Sequence, residues 1–171
     1  MINGIDESEI RGIASSVQGD PERGRVQFSS ITEWVEGAHS TTAIRHFTVP
    51  SDEPASLGGT DLAPNAVELL LSALGACLTV GFVYNAALQG MAIRKLTIET
   101  EGKIDLAAFL GLPSEAPAGY TEIRADIRVD SDARPSTLTA LATRVIATSP
   151  VTDTLRRPVP VAMTVNGESV S

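Results

Sequence analysis

Residues Asn65 to Gln89 read NAVELLLSALGACLTVGFVYNAALQ. Val67, Leu70, Leu71, Leu74, Cys77, Leu78, Val80, Phe82 and Val83 fall within a few turns and cover several faces of a helix. Such a helix is apolar all round and has to be enclosed. Pro64 suits its first turn, where a missing N–H is harmless, and Gly90 suits its C-terminal exit. A membrane span asks for about 20 uninterrupted apolar residues. Glu68, Ser72, Thr79 and Asn85 interrupt this run, so it reads as the core helix of a globular protein.

Upstream, Ile5, Ile10, Ile13 and Val17 recur at helical spacing behind the N-cap oxygens of Asp6 and Ser8, and Gly19-Asp20-Pro21 closes that short helix. Val26, Phe28, Ile31, Thr32, Trp34 and Val35 favour a strand from Arg25 to Val35. Glu36-Gly37 then reads as the turn into a second strand, His39 to Val49, making a hairpin. Downstream, Ala92 to Gly102 and Tyr120 to Asp130 read as strands, the latter alternating between apolar and charged positions. The connection Asp105 to Gly119 holds Leu106, Phe109 and Leu110 and is apolar enough to fold back on the body. Ser136 suits the N-cap of a helix striped with Leu138, Leu141, Val145 and Ile146, and Ser149-Pro150 suits the start of another. A last strand runs from Pro158 to Val165. The order of elements predicts an α+β fold in which helices pack on antiparallel sheets.

The 171 residues suit one domain, with residues 1–24 as a helical extension and 25–171 as the core. Thirteen basic residues against twenty-one acidic ones leave a net charge of -8, which repels phosphate backbones and anionic lipid heads. Neither nucleic acid nor a membrane is an expected partner. Met1 to Gly24 shows no basic stretch followed by an apolar run, so a cytoplasmic location is expected. The single cysteine, Cys77, excludes an intrachain disulfide and a multi-thiolate zinc site. His39 and His46, seven apart on a presumed strand, point to opposite faces and form no metal pair.

The segment Asp52-Glu53-Pro54, Leu57-Gly58-Gly59, Ala63-Pro64-Asn65 and Glu68 through Leu78 resembles the approach to the cysteine-bearing helix of the OsmC/Ohr family. The likeness continues at Glu33 to Gly37, at Phe109 to Leu112 and at Ser149 to Leu155. It implies an intertwined homodimer of α+β subunits, with antiparallel sheets wrapped around long buried helices and active sites drawn from both chains. It also implies reduction of organic hydroperoxides by a reactive thiolate, with no cofactor or metal, in oxidative stress defence. Cys77 falls at the position of that thiol.

Three positions depart from the peroxidase pattern. Ser149 stands where the family carries its second cysteine, and a hydroxyl cannot resolve a sulfenic acid. The family's glutamate, ten residues before the cysteine, is replaced by Val67, with Glu68 one position later. Nine residues turn a helix by roughly 180° and advance it about 13 Å, so Glu68 and Cys77 lie on opposite sides. The family's hairpin arginine has no counterpart in Gly37-Ala38-His39, which leaves Arg45 and His39 as candidate cations. A free thiol of pKa ~8.5 is only a few per cent thiolate at neutral pH, so reactivity calls for a nearby cation.

Each candidate also has a plainer role. Free cysteines often act as small buried hydrophobes. Glu68 suits the positive end of the long helix, and Ser149 is a good N-cap in its own right. Two functions follow: a one-cysteine peroxidase recycled by an external thiol, or a non-catalytic protein binding a small hydrophobic molecule beside Cys77.

Overall fold

The computed structural model describes residues 1–170. Its elements run α1 (Glu7–Gly19), β1 (Ile31–Glu36), β2 (His39–Ile44), β3 (Phe47–Ser51), α2 (Ala66–Leu88), β4 (Ile93–Lys103), α3 (Leu106–Phe109), β5 (Glu122–Ser131), α4 (Pro135–Thr148), α5 (Pro150–Arg156), β6 (Met163–Val165) and β7 (Glu168–Val170). Strands β1-β2-β3 form one antiparallel sheet, β4-β5 a second and β6-β7 a third. The α+β reading therefore holds.

Helix α2 starts with a reciprocal cap. Asn65 Oδ1 accepts the Glu68 N–H at 2.9 Å, and the Glu68 carboxylate accepts the Asn65 N–H at 2.8 Å. Two N–H groups that no intrahelical carbonyl can reach are satisfied in this way. Pro64 precedes the cap instead of sitting in the first turn, because Asn65 supplies the capping oxygen. Leu74, Leu78, Phe82 and Ala86 meet Leu141 and Val145 of α4 in the core, with Ile98, Ile123 and Ile127 of the β4-β5 ribbon packed against them. Only this face of α2 is buried within its own chain. Leu70, Val80 and Tyr84 remain exposed. Among the described residues α2 is long and apolar enough to cross a membrane by length and composition, and the face it buries packs as a protein core.

Helices α2 and α4 pass in opposite directions at close range. Arg144 donates to Asn85 Oδ1 at 2.7 Å. A Cβ added at Gly81 would lie 2.7 Å from Val145 Cγ1, so only glycine admits the buried valine there. Cys77 lies one turn before Gly81 and Ser149 one turn after Val145, so this crossing brings Cys77 and Ser149 level.

Several expected boundaries move. The strand expected from His39 to Val49 is two strands, β2 and β3, hinged at Arg45-His46, with Arg45 at φ +56°. His39 and His46 thus belong to a strand and a turn, not to one strand. The first strand begins at Ile31 instead of Arg25, behind a 3-10 turn at Pro21–Gly24. Arg134, not Ser136, occupies the N-cap of α4, because Pro135 takes the first helical position that its fixed φ suits. The connection after β4 does fold, as the single-turn helix α3 capped by Asp105. The last strand is confined to Met163–Val165 and returns through Asn166-Gly167, both at positive φ, into β7. Asn-Gly is the pair that a tight two-residue hairpin turn favours. Helix α1 buries none of its residues. It sits beside the end of α2, where Arg11 donates to Leu88 O at 3.0 Å, and Asn3 just before it bonds Met91 O and the Ile93 N–H.

The loop between β3 and α2 is organised by Asp52, 1% exposed. Its carboxylate accepts from the Thr60 hydroxyl at 2.6 Å and from the N–H groups of Glu53, Thr60 and Leu62. The Thr60 hydroxyl bond, with the three N–H bonds, outweighs desolvation and holds this carboxyl at about 2, below its ordinary 3.8. A depressed folded-state value gives stability that is present above the unfolded value and is lost as pH falls through the folded one. Thermal melting of the wild type should therefore weaken as pH falls from about 4 to about 2. Asp52→Asn should melt lower at neutral pH and show a shallower decline across that window. An unchanged acid limb in the variant would contradict this role.

Candidate functional site

Cys77 sits mid-way along α2, half-buried. Its one hydrogen-bond partner among the described residues is Ser149, whose Oγ lies 3.2 Å from Sγ. Ser149 joins α4 to α5 and is 4% exposed. It caps α5, accepting the Thr152 N–H at 3.3 Å and the Thr152 hydroxyl at 2.8 Å. Pro150 follows as the first helical residue. The local Ser-Pro start thus forms as the sequence suggests, and it presents the serine hydroxyl to sulfur.

The other candidates are dispersed within the single chain. Glu68 is engaged in the capping box, nine residues before Cys77 on an unbroken helix. His39 opens β2 opposite Glu36, while Arg45 lies in the turn that follows that strand, its guanidinium 5.1 Å from the centre of the Phe47 ring. Both are carried by the β1-β2-β3 sheet, in a strand and in a turn, and that sheet exposes Ile31, Trp34, Val35, Ile44 and Phe47 instead of packing them. Among the described residues no group of three or more His, Cys, Asp or Glu is placed to hold a metal ion.

An open cavity of about 410 Å³ lies between α2, β5 and the α4-α5 corner. Leu74, Leu78, Ile127 and Leu155 line one part of it with apolar surface, and Thr121, Glu122 and Arg156 line another with polar groups. Thr152 lines it, and Cys77 does not. Near the start of α2, Tyr120 donates its hydroxyl to Val67 O at 2.8 Å. Burial, with the Glu68 charge adding, raises its phenol above the ordinary value.

Thr152 and Tyr120 are not among the candidates that the sequence points to. For Thr152 a signal exists, since Ser-Pro-Val-Thr places a hydroxyl at the third helical position, where it can reach back to the cap. Tyr120 carries none, because its partner is a backbone carbonyl 53 residues away.

The family model of OsmC-like proteins matches residues 59–164, more than half of the chain. No curated protein matches the sequence significantly. Among solved structures, an OsmC-like protein from Mycoplasma pneumoniae aligns with TM-score 0.67 at 19% identity, covering 77% of this chain and 88% of that one. An organic hydroperoxide resistance protein from Legionella pneumophila aligns with TM-score 0.56 at 17% identity, covering 77% and 92%. The organic hydroperoxide resistance protein OhrB of Bacillus subtilis gives 0.51 at 16% identity, covering 77% and 91%. At these identities the structures establish a shared fold.

Because Ser149 Oγ is 3.2 Å from Sγ, a sulfur at position 149 should reach Cys77 with small rearrangement. Mild oxidation of Ser149→Cys should give an intrachain disulfide to Cys77, detected by peptide mapping. The lost cap should cost about 1 kcal/mol of stability. A folded variant that forms no such link would contradict the contact.

Proposed function

The chain belongs to the OsmC-like proteins, and from that premise we propose that it is a one-cysteine thiol peroxidase acting on organic hydroperoxides in the cytoplasm. The observation that carries the reading is the Ser149 hydroxyl against the Cys77 sulfur, at the two positions where the resemblance sets the reacting and resolving groups. Two structural neighbours named as organic hydroperoxide resistance proteins support it as well.

In the proposed reaction the Cys77 thiolate attacks the distal peroxide oxygen. The O–O bond breaks, and the alkoxide leaves and takes a proton to become the alcohol. Sulfur becomes a sulfenic acid. Ser149 cannot displace that hydroxyl, so an external thiol attacks the sulfenic sulfur, releasing water and leaving a mixed disulfide. A second equivalent of thiol frees Cys77 and departs as the small disulfide.

The cation that such a thiolate needs is proposed to come from a second copy. The β1-β2-β3 sheet, which carries Arg45 and His39, leaves Trp34 75% exposed in its own chain. Helix α2 likewise keeps apolar residues uncovered. A homodimer that wraps one chain's sheet over the other's α2 buries both surfaces and brings a guanidinium or imidazole toward Cys77.

A second reading is favoured by the cavity of about 410 Å³, because it has apolar side chains in its lining and Cys77 is not among them. There the protein binds a small hydrophobic molecule and the thiol is a bystander. Intact-mass measurement after brief exposure to cumene hydroperoxide separates the two. The peroxidase reading predicts one added oxygen atom per chain, absent in Cys77→Ser, and a mixed disulfide when a small thiol is present. A folded wild type that gains no mass at Cys77 would remove it and leave the binding reading.

A further inference from the structure

We propose that Thr152 is a positioning residue for Cys77: it occupies the acceptor capacity of the Ser149 hydroxyl and thereby turns the Ser149 proton onto sulfur. The proposal rests on the peroxidase reading only for its consequence in turnover. The orientation itself follows from hydrogen-bond accounting.

A serine hydroxyl has one proton and two acceptor lone pairs. At Ser149 both acceptor sites are taken by one residue, since the Thr152 N–H approaches at 3.3 Å and the Thr152 Oγ1–H at 2.8 Å. What remains is the proton, and the other neighbour within reach is Cys77 Sγ at 3.2 Å. Ser149 and Thr152 are 4% and 8% exposed, which leaves water little access to compete. Ser149 therefore donates and sulfur accepts. A donated hydrogen bond favours the anionic form of the acceptor, whereas a bond accepted from S–H would favour the neutral thiol. The distinction rests on the threonine hydroxyl. Without it, one lone pair on Ser149 is free, and the hydroxyl can rotate to accept from the thiol.

The geometry also links the site to the cavity, because Thr152 lines that space while bonding Ser149. One residue thus stands between the cavity and the hydroxyl that faces sulfur.

The test uses the rate of iodoacetamide alkylation of Cys77 across pH, a readout that needs no peroxide. Thr152→Val keeps the shape and the backbone N–H but removes the hydroxyl. It should slow alkylation at neutral pH by about tenfold, as expected for a hydrogen bond to a charged group, and move the pH profile upward. Thr152→Ser should restore both. In a Ser149→Ala background, Thr152→Val should cost nothing further, since there is no hydroxyl left to orient. Equal slowing with and without Ser149, or a Thr152→Val profile matching the wild type with the variant folded by circular dichroism, would overturn the proposal. If alkylation follows the prediction but hydroperoxide leaves Cys77 unoxidised, the positioning role stands and the peroxidase reading falls.

Discussion

Enclosing an apolar side chain instead of leaving it in water stabilises a protein by about 1.5–3 kcal/mol, and α2 carries such side chains around its whole circumference. One chain covers a single face, with Leu74, Leu78, Phe82 and Ala86 against α4 and the β4-β5 ribbon. The remaining surface of α2 and the bare faces of the β1-β2-β3 sheet and the β6-β7 hairpin, with Trp34, Phe47, Met163 and Val165 exposed, present the same unmet demand. Isolated apolar residues on a surface are ordinary, but contiguous ones on several elements mark surfaces that bind something. A second copy answers the demand with surfaces of matching character, and the proposed homodimer is that answer.

The covered face also sets the chemistry. Gly81 lets Val145 approach closely, and the antiparallel passage of α2 and α4 carries the contact one turn further to Cys77 and Ser149. Core packing thereby places two side chains 72 positions apart within hydrogen-bond distance. The Ser149 cap of α5 and the Ser149 contact with sulfur are made by the same oxygen, so a substitution of Ser149 itself changes both at once. The cations follow another logic. Arg45 and His39 ride on a sheet that finds no core in its own chain, and any approach to Cys77 depends on the partner proposed for that sheet.

Legibility in the sequence followed the range of the interactions. The long helix and the β4-β5 ribbon showed clearly because apolar density and strict alternation are local patterns. The Ser149-Pro150 start was equally local, needing only a capping oxygen and a fixed φ. The split between β2 and β3 has no local signature, because Arg45-His46 is not typical turn chemistry and Arg45 takes a positive φ that asparagine or glycine would signal. The Asn166-Gly167 pair is itself a hairpin-turn signal, and the single final strand expected from Pro158 to Val165 stops short of it. At the site, Cys77 and Ser149 were found through the resemblance, whereas Thr152 emerged from a hydrogen bond that spacing alone does not assign a function. The composition of the helix calls for closure on all sides, yet its own chain closes one side, because composition states a need without saying which chain meets it.

Sedimentation equilibrium over a range of protein concentrations tests the enclosure of α2 most directly. The account predicts a single species of twice the chain mass that persists down to micromolar concentration and dissociates only as the protein unfolds. A folded, thermally stable monomer at micromolar concentration would contradict it.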